Sequence, residues 1–459
     1  MRRRSLPLSS VYRPASAGVF GPLQGTCDLE PLIQAQKALL SGQLQDRALH
    51  ERTLALLTAA AQQAAGREPA LARPPVDRNL VESAFALDVP PAPESAATAP
   101  GKRPGRLQHI TWFIPAFEHP FGGVHTILRF ADILRRRHGV RSLFVAYTRT
   151  HETALGLAAR AASVFTEPLG EFRVLKDLEE VATLPPTDLA VATLWTSAYL
   201  ALKHPRAGSR AYFVQDDESL FYASGTYQLL AAQTYRLGLY GIFNTQGLHA
   251  SITHSYPMTG CWFEPTVDRE VFHADRPPRT PRGPVRVIFY GRPSTDRNAF
   301  ALGIASLRKF KEKLGDEVDI VCAGESWRPE DYGLSGRVRN LGVLPYEATG
   351  QLYRQCDVGL CFMFSRHPSY LPLEWMACGV AVVSNENPAN HWLLQHERNC
   401  LLSAPLVDDV VEQLERVTRD APLRAQLQRA GTERLARTSW EAEVNKVYSA
   451  LCSRDGGRK

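Results

Sequence analysis

The sequence predicts an α/β protein of two similar halves, each a layer of parallel strands covered by helices. Three observations lead there. Beyond residue 106, short apolar strands alternate with amphipathic helical stretches, the rhythm of βα units rather than of hairpins. The strand series restarts at "VRVIFYGR" (285–292), after the Pro/Arg-rich break "ADRPPRTPRGP" (274–284). At 459 residues the chain exceeds one ordinary core, because domains usually hold about 100 to 200 residues. Hydrophobic residues make up 44% and charged residues 22%, values that argue against global disorder.

Taken in order, residues 1 to about 25 read as a tail, and 28–66 reads as helix. Leu32, Leu39, Leu40, Leu49, Leu54 and Leu57 are its apolar teeth, with a break at Ser41-Gly42. "VPPAPESAATAPGKRPGR" (89–106) has the Pro/Ala/Gly composition of a linker and sets a boundary near 106. "HITWFIPAF", "RSLFVAYT", "LAVATLW", "RAYFVQD" and "LYGIFNT" are the strands of a first domain, 107–275, with a helix over "GGVHTILRFADILRRRHG". The second, 276–438, has strands at "VRVIFYGR", "VDIVCAGE", "RVRNLGVL", "VGLCFMF" and "VAVVSNE", with helices such as "AFALGIASLRKFKEKLG" and "YEATGQLYRQC" between them. Sheets of this kind bind ligands at the carboxyl ends of their strands, so two halves offer a cleft where those ends meet.

Composition narrows the function. The eight cysteines contain no C-x-x-C pair and several lie in apolar runs, which fits reduced thiols of an intracellular protein. "MRRRSLPLSSVYRPASAG" starts basic but lacks the apolar region of an export signal, and no run of about 18 apolar residues predicts a membrane span. The net charge of +6 demands no nucleic-acid partner. Arg129, Arg135, Arg136, Arg137 and Arg141 face one nearby acid in sequence, Asp132. That cluster fits either a solvated helix end or a peripheral contact with an anionic membrane face.

Two stretches carry chemistry. In "FYGRPSTDRN" a strand ends at Tyr290, Gly291 lets the backbone turn, and Arg292 and Arg297 flank a polar loop before a helix. Two guanidiniums beside a helix N-terminus suit a diphosphate, although two exposed turn arginines would read the same way. In "SRHPSYLPLEWMACGVAVVSNENP" (365–388) Pro372 suits the first turn of a helix that Gly379 ends. Glu374 then sits in that first turn, placed either to accept from both hydroxyls of a ribose or simply to complement the helix dipole. The run Asp216, Asp217, Glu218 admits a loop cap, an acceptor-binding cluster or a divalent metal. No P-loop, no strand-linked G-x-G-x-x-G and no H-E-x-x-H is present.

Several of these residues, in order, resemble the GT-B glycosyltransferases of the family 4 type. They are "GG" at 122–123, "PTVDREVF" at 265–272, "GRPSTDR" at 291–297, "LGVLPYEA" at 341–348 and "PLEWMACGVAVV" at 372–383. "YFVQDDESLFYASG" and "HPSYLPLEWMACG" are similar, more narrowly, to WsaF-type rhamnosyltransferases of bacterial surface-glycan assembly. The resemblance covers about 107–455 and implies two Rossmann-like domains facing across a cleft. It also implies a C-terminal helix, 439–459, that crosses back to the first domain. It places Arg292 and Arg297 on the donor diphosphate, Glu374 on the ribose, Gly122 and Gly123 opposite the transferred sugar, and Val343 and Leu344 at the nucleobase. Gly291, His367, Ser369 and Tyr370 join the donor site, and Asp216, Asp217 and Glu218 the acceptor side. One departure stands out: eight residues before Glu374, where the family has a first glutamate, is Arg366, or His367 with a one-residue gap. Where relatives carry a histidine after the fourth strand this chain reads "ATLWTSAY", and a less polar pocket around Trp195 would suit a 6-deoxy sugar.

The expected activity is metal-independent and cofactor-free transfer of a sugar, rhamnose from dTDP-rhamnose, to a saccharide or lipid-linked saccharide. The expected outcome is retention of configuration, in the cytoplasm or at the inner membrane face. A nucleotide-sugar epimerase, a metal-dependent transferase built on the acidic run, and a non-catalytic glycan-binding protein are the alternatives.

Overall fold

The computed structural model describes residues 105–118, 120, 122–147, 152–165, 167–275 and 283–453. They all belong to one compact unit. The helical segment read over 28–66, its linker and the tail lie outside the described residues.

The first lobe is a seven-stranded parallel sheet in the order β3-β2-β1-β4-β5-β6-β7. Its strands are β1 (His109–Ile114), β2 (Arg141–Ala146), β3 (Glu171–Val174), β4 (Thr187–Ala192), β5 (Ala207–Val214), β6 (Tyr240–Asn244) and β7 (Gly260–Phe263). The second lobe repeats the plan with six parallel strands, β10-β9-β8-β11-β12-β13. These are β8 (Val285–Gly291), β9 (Val318–Gly324), β10 (Arg339–Asn340), β11 (Val358–Leu360), β12 (Ala381–Asn385) and β13 (Cys400–Ser403). Central strands read as unbroken apolar runs because helices cover both sheet faces. In β1, Trp112 and Ile114 enter one core while Phe113 enters the other, where it pairs with Val145 and Ala192. In β8, Val287 and Phe289 lie on one face and Ile288 on the other. Strands β3, β7 and β13, absent from the sequence expectation, are edge strands of only 4 residues, and β10 shrinks to two.

Helix α1 (Gly122–His138) buries Ile127, Leu128, Phe130, Ile133 and Leu134 against the first sheet. Its basic end is largely paired: Arg135 with Asp132 and Glu167, Arg136 with Asp132, and Arg129 turned inward onto Asp268 at 2.9 Å. The cluster that faced one acid in sequence thus finds further acids in space, although Arg137 stays exposed. The remaining helices of the first lobe are α2 (Ala154–Ala162), α3 (Trp195–Lys203), α4 (Thr226–Thr234) and α5 (Gln246–Ser255). Those of the second are α6 (Phe300–Leu314), α7 (Tyr346–Arg354), α8 (Leu371–Ala377), α9 (Val407–Arg419) and α10 (Ala421–Leu435). The last helix, α11 (Trp440–Cys452), packs on the first lobe: Trp440 meets Phe130 and Phe263, and Glu443 accepts the Glu264 N–H at 2.8 Å.

The lobes touch closely. A Cβ on Gly247, in α5, would lie 1.9 Å from the backbone oxygen of Ala389 in the second lobe. Gly247→Ala is therefore expected to prise the lobes apart and raise the radius of gyration in small-angle X-ray scattering; an unchanged value would show that the contact is dispensable.

Candidate functional site

In both sheets the strand order reverses beside the first strand, and such switch points open a crevice at the carboxyl ends of the strands. Here the two crevices share one cavity of about 440 Å³. The first lobe contributes Gly122 and Gly123 at the start of α1, Thr193 and Leu194 after β4, Gln215, Asp216, Glu218 and Phe221 after β5, and Asn244 closing β6. The second contributes Tyr290, Arg292 and Arg297 after β8, Val343 and Leu344, Tyr346 and Tyr353 of α7, and His367, Ser369, Tyr370 and Glu374. Of the residues proposed from sequence, Gly291, Asp217 and Trp195 are off this wall.

Gly122 has φ +54°, a left-handed conformation in which a side chain would be strained, and it opens α1. The first N–H groups of a helix have no intrahelical partner, so this end of α1 offers donors to an anion. Gly123 leaves room for Gln215: a Cβ there would sit 2.8 Å from Gln215 Nε2.

Arg292 donates to the Tyr290 hydroxyl at 3.3 Å and lies 6.0 Å from that ring. Arg297 lies 4.4 Å over the ring of Phe221, which belongs to the other lobe. Gly291 serves them differently from expectation. It ends β8 without a positive φ, and a Cβ would collide with Trp327 Nε1 at 2.8 Å, so packing rather than a turn requires glycine.

Helix α8 answers the question raised by Glu374. Pro372 lies in its first turn, the chain leaves it through Gly379 at φ +69°, and β12 follows at once. Glu374 is thereby held on the cavity wall, its carboxyl without a hydrogen bond or ion pair among the described residues. Burial pushes its carboxyl up to about 8. Ahead of it, Ser369 adopts φ +67°, a strained conformation for a non-glycine residue. Its N–H donates to His367 Nδ1 at 3.0 Å, which leaves the imidazole proton on Nε2. That Nε2 has no partner, and burial, with Arg297 nearby, drives the histidine down to about 3. Arg366 projects outward, so His367 takes the wall position.

Tyr370 joins the lobes. Asn244 Nδ2 donates to its hydroxyl at 3.1 Å, and Tyr370 pairs with Thr126 Oγ1 at 2.7 Å, which in turn donates to the Gly122 carbonyl at 3.2 Å.

The acidic run splits into three structural uses. Asp216 accepts from Ser365 Oγ at 2.6 Å and from the Arg366 N–H at 3.1 Å, both across the cleft, and burial raises it to about 6. Asp217 accepts from the hydroxyl of Ser219 at 2.6 Å and from its N–H, capping a short 3-10 turn. Glu218 accepts the Trp195 N–H at 2.6 Å at the start of α3, and burial raises it to about 8. Among the described residues no group of three or more His, Cys, Asp or Glu is disposed to hold a metal. Trp195 is also relocated: it is buried in the core, with Nε1 donating to Tyr222, and it does not line the cavity. The argument for a 6-deoxy sugar from that position therefore fails.

Sequence reasoning missed Gln215, Asn244, Tyr346, Tyr353 and Phe221. For Gln215 and Asn244 a signal existed, since each is the first polar residue at the end of an apolar strand.

Residues 285–415 match the family described as WsaF, C-terminal domain. The chain is 52% identical over 407 residues to the O-antigen biosynthesis protein RfbC of Myxococcus xanthus, covering 87% of this chain and 32% of that protein. It thus spans about a third of that relative's length. Its fold superposes on Anabaena HepE solved with UDP and glucose, with TM-score 0.57 and 15% identity over 74% of this chain and 97% of that one. It also superposes on an S. aureus TarM variant solved with fondaparinux, α-GlcNAc-glycerol and UDP, with TM-score 0.63 and 8% identity over 76% of this chain and 100% of that one. Paired parallel sheets, shared cavity and matched domain agree: the chain has the GT-B fold, and its second lobe matches the WsaF C-terminal domain.

Proposed function

We propose that the chain is a glycosyltransferase of surface-polysaccharide assembly, moving a sugar from a nucleoside-diphosphate sugar to a hydroxyl of a saccharide or lipid-linked saccharide. The observation that carries this reading is the convergence of Arg292, Arg297 and Glu374 on one interlobe cavity that also takes in the start of α1. The diphosphate rests between the two guanidiniums and the N-terminus of α1, the ribose hydroxyls donate to Glu374, and the base lies by Val343 and Leu344. UDP in the HepE and TarM structures, and O-antigen biosynthesis in the name of RfbC, support it.

Breaking the sugar C1–O bond leaves positive charge on the ring and negative charge on the departing diphosphate. Arg292, Arg297 and the N–H groups of α1 oppose the second charge without a metal, and they are already in place before it develops. The departing phosphate takes the proton of the attacking acceptor hydroxyl, giving retention. Rhamnose from dTDP-rhamnose is the donor in this reading, which the resemblance to WsaF-type rhamnosyltransferases supports. The lobe contacts through Tyr370 and Asp216 exclude water from the bound donor. Among the described residues no helix is long and apolar enough to cross a membrane.

The test is turnover by the full chain of dTDP-rhamnose and UDP-glucose, each with and without a rhamnose-terminated acceptor. Acceptor-dependent release of nucleoside diphosphate from dTDP-rhamnose is expected. Preference for UDP-glucose removes the rhamnose assignment. Conversion of the donor without acceptor makes the protein an epimerase, and binding of glycan without donor turnover makes it a lectin-like scaffold.

A further inference from the structure

Three buried polar atoms on the cavity wall are left without partners: Gln215 Oε1, Asn244 Oδ1 and His367 Nε2. Asn244 is 1% and His367 5% exposed. An unmet buried donor or acceptor is costly, and on a cavity wall a bound ligand is one way to complete it. Two of the three have their directions fixed by bonds they already make. The Asn244 amide nitrogen is spent on Tyr370, which leaves its carbonyl oxygen; His367 Nδ1 accepts from Ser369, which leaves an N–H at Nε2. We infer that Gln215, Asn244 and His367 form the receptor for the transferred sugar, with the Asn244 oxygen as acceptor, the His367 Nε2–H as donor and the Gln215 amide as either, and that they read the hydroxyls of an uncharged hexose or deoxyhexose. This deepens the reading proposed above and rests on it.

Charge decides the substrate class. None of the three groups is charged, and the neighbouring carboxylates are committed, Asp216 to Ser365 and Arg366 and Glu218 to Trp195. A uronate carboxylate placed here would meet the Asn244 oxygen, with the buried Asp216 on the same wall, while the nearby Arg297 is taken by the diphosphate in the reading above. A neutral sugar hydroxyl both donates and accepts, so it completes all three. The set also accounts for the missing family glutamate: its place beside the sugar is taken by a neutral imidazole donor.

The test measures binding to the full chain by calorimetry, using UDP, UDP-glucose, UDP-glucuronate, dTDP and dTDP-rhamnose. Gln215→Leu and Asn244→Leu are expected to weaken the sugar-bearing ligands about tenfold, a loss of about 1.4 kcal/mol. The same variants should leave UDP and dTDP within about twofold of wild type. Wild type itself should bind UDP-glucuronate at least about tenfold more weakly than UDP-glucose. Equal losses for sugar-bearing and sugar-free ligands, or no loss, overturn the receptor. Equal affinity of wild type for the two UDP sugars overturns the neutral-sugar assignment without recourse to any variant. Failure of wild type to bind either UDP or dTDP overturns the functional reading and this inference with it.

Discussion

Replacing Arg292 or Arg297 by alanine lowers kcat/KM for the nucleotide sugar by about two to three orders of magnitude, the cost of removing one preorganised donor aimed at developing charge. Most of the loss falls on kcat, because the diphosphate gains its extra charge only as the C1–O bond breaks. The two positions differ in kind. Arg292 is held within its own lobe by Tyr290, whereas Arg297 lies over Phe221 of the facing lobe, in the field of the buried Asp216. Charge in such a poorly hydrated place is weakly screened, so the Arg297 variant is expected to be the more damaged of the two. Arg297→Lys restores little, since a point charge on a flexible stem reproduces neither the planar fork nor its stacking on Phe221. Steady-state kinetics with separate kcat and KM decides this; activity within about threefold of wild type in both alanine variants would remove the diphosphate clamp.

Glu374→Gln is expected to weaken nucleotide-sugar binding and to change its pH dependence. In the unliganded protein the carboxyl is pushed up to about 8, so it is protonated at neutral pH. Two ribose hydroxyls donating to one group require the carboxylate, so binding expels a proton and wild-type affinity rises with pH until about 8. The Glu374→Gln protein lacks that rise. A nucleotide sugar is the proper probe because its diphosphate has no proton to lose in this window. Stability moves the other way. An unfolded glutamate ionises near about 4.3, so between there and about 8 the folded wild type binds more protons than the unfolded chain and loses stability as pH rises. The Glu374→Gln protein escapes that loss and should melt increasingly above wild type from about pH 5 to about pH 8, by up to a few kcal/mol, then hold its lead. Parallel melting curves at all pH values would place Glu374 outside the buried site.

The fold was legible because the central strands are unbroken apolar runs, which only burial on both faces explains. The edge strands β3, β7 and β13 were not, since four residues with one neighbour carry too little pattern. In the site, Arg292, Arg297 and Glu374 could be read because each lies in a loop or first helical turn beside a strand end, where local rules place it, whereas His367 came only from the resemblance. Trp195 was misread by a short step. The strand ends at Ala192, the cavity takes Thr193 and Leu194, and α3 has already turned back into the core when Trp195 begins it. The acidic run looked like a ligand set because its three carboxylates are adjacent in sequence, yet their partners Ser365, Ser219 and Trp195 lie in three different places. Only the meeting of two lobes makes Asn244 and Gln215 neighbours of His367, and no local pattern encodes that.

The most direct measurement is a crystal structure of the full chain with a bound nucleoside diphosphate, dTDP or UDP. The account predicts both guanidiniums of Arg292 and Arg297 within hydrogen-bond reach of the diphosphate and the ribose hydroxyls on Glu374. A nucleotide seated elsewhere, or in this cavity with its ribose away from Glu374 and its phosphates away from both arginines, would contradict it.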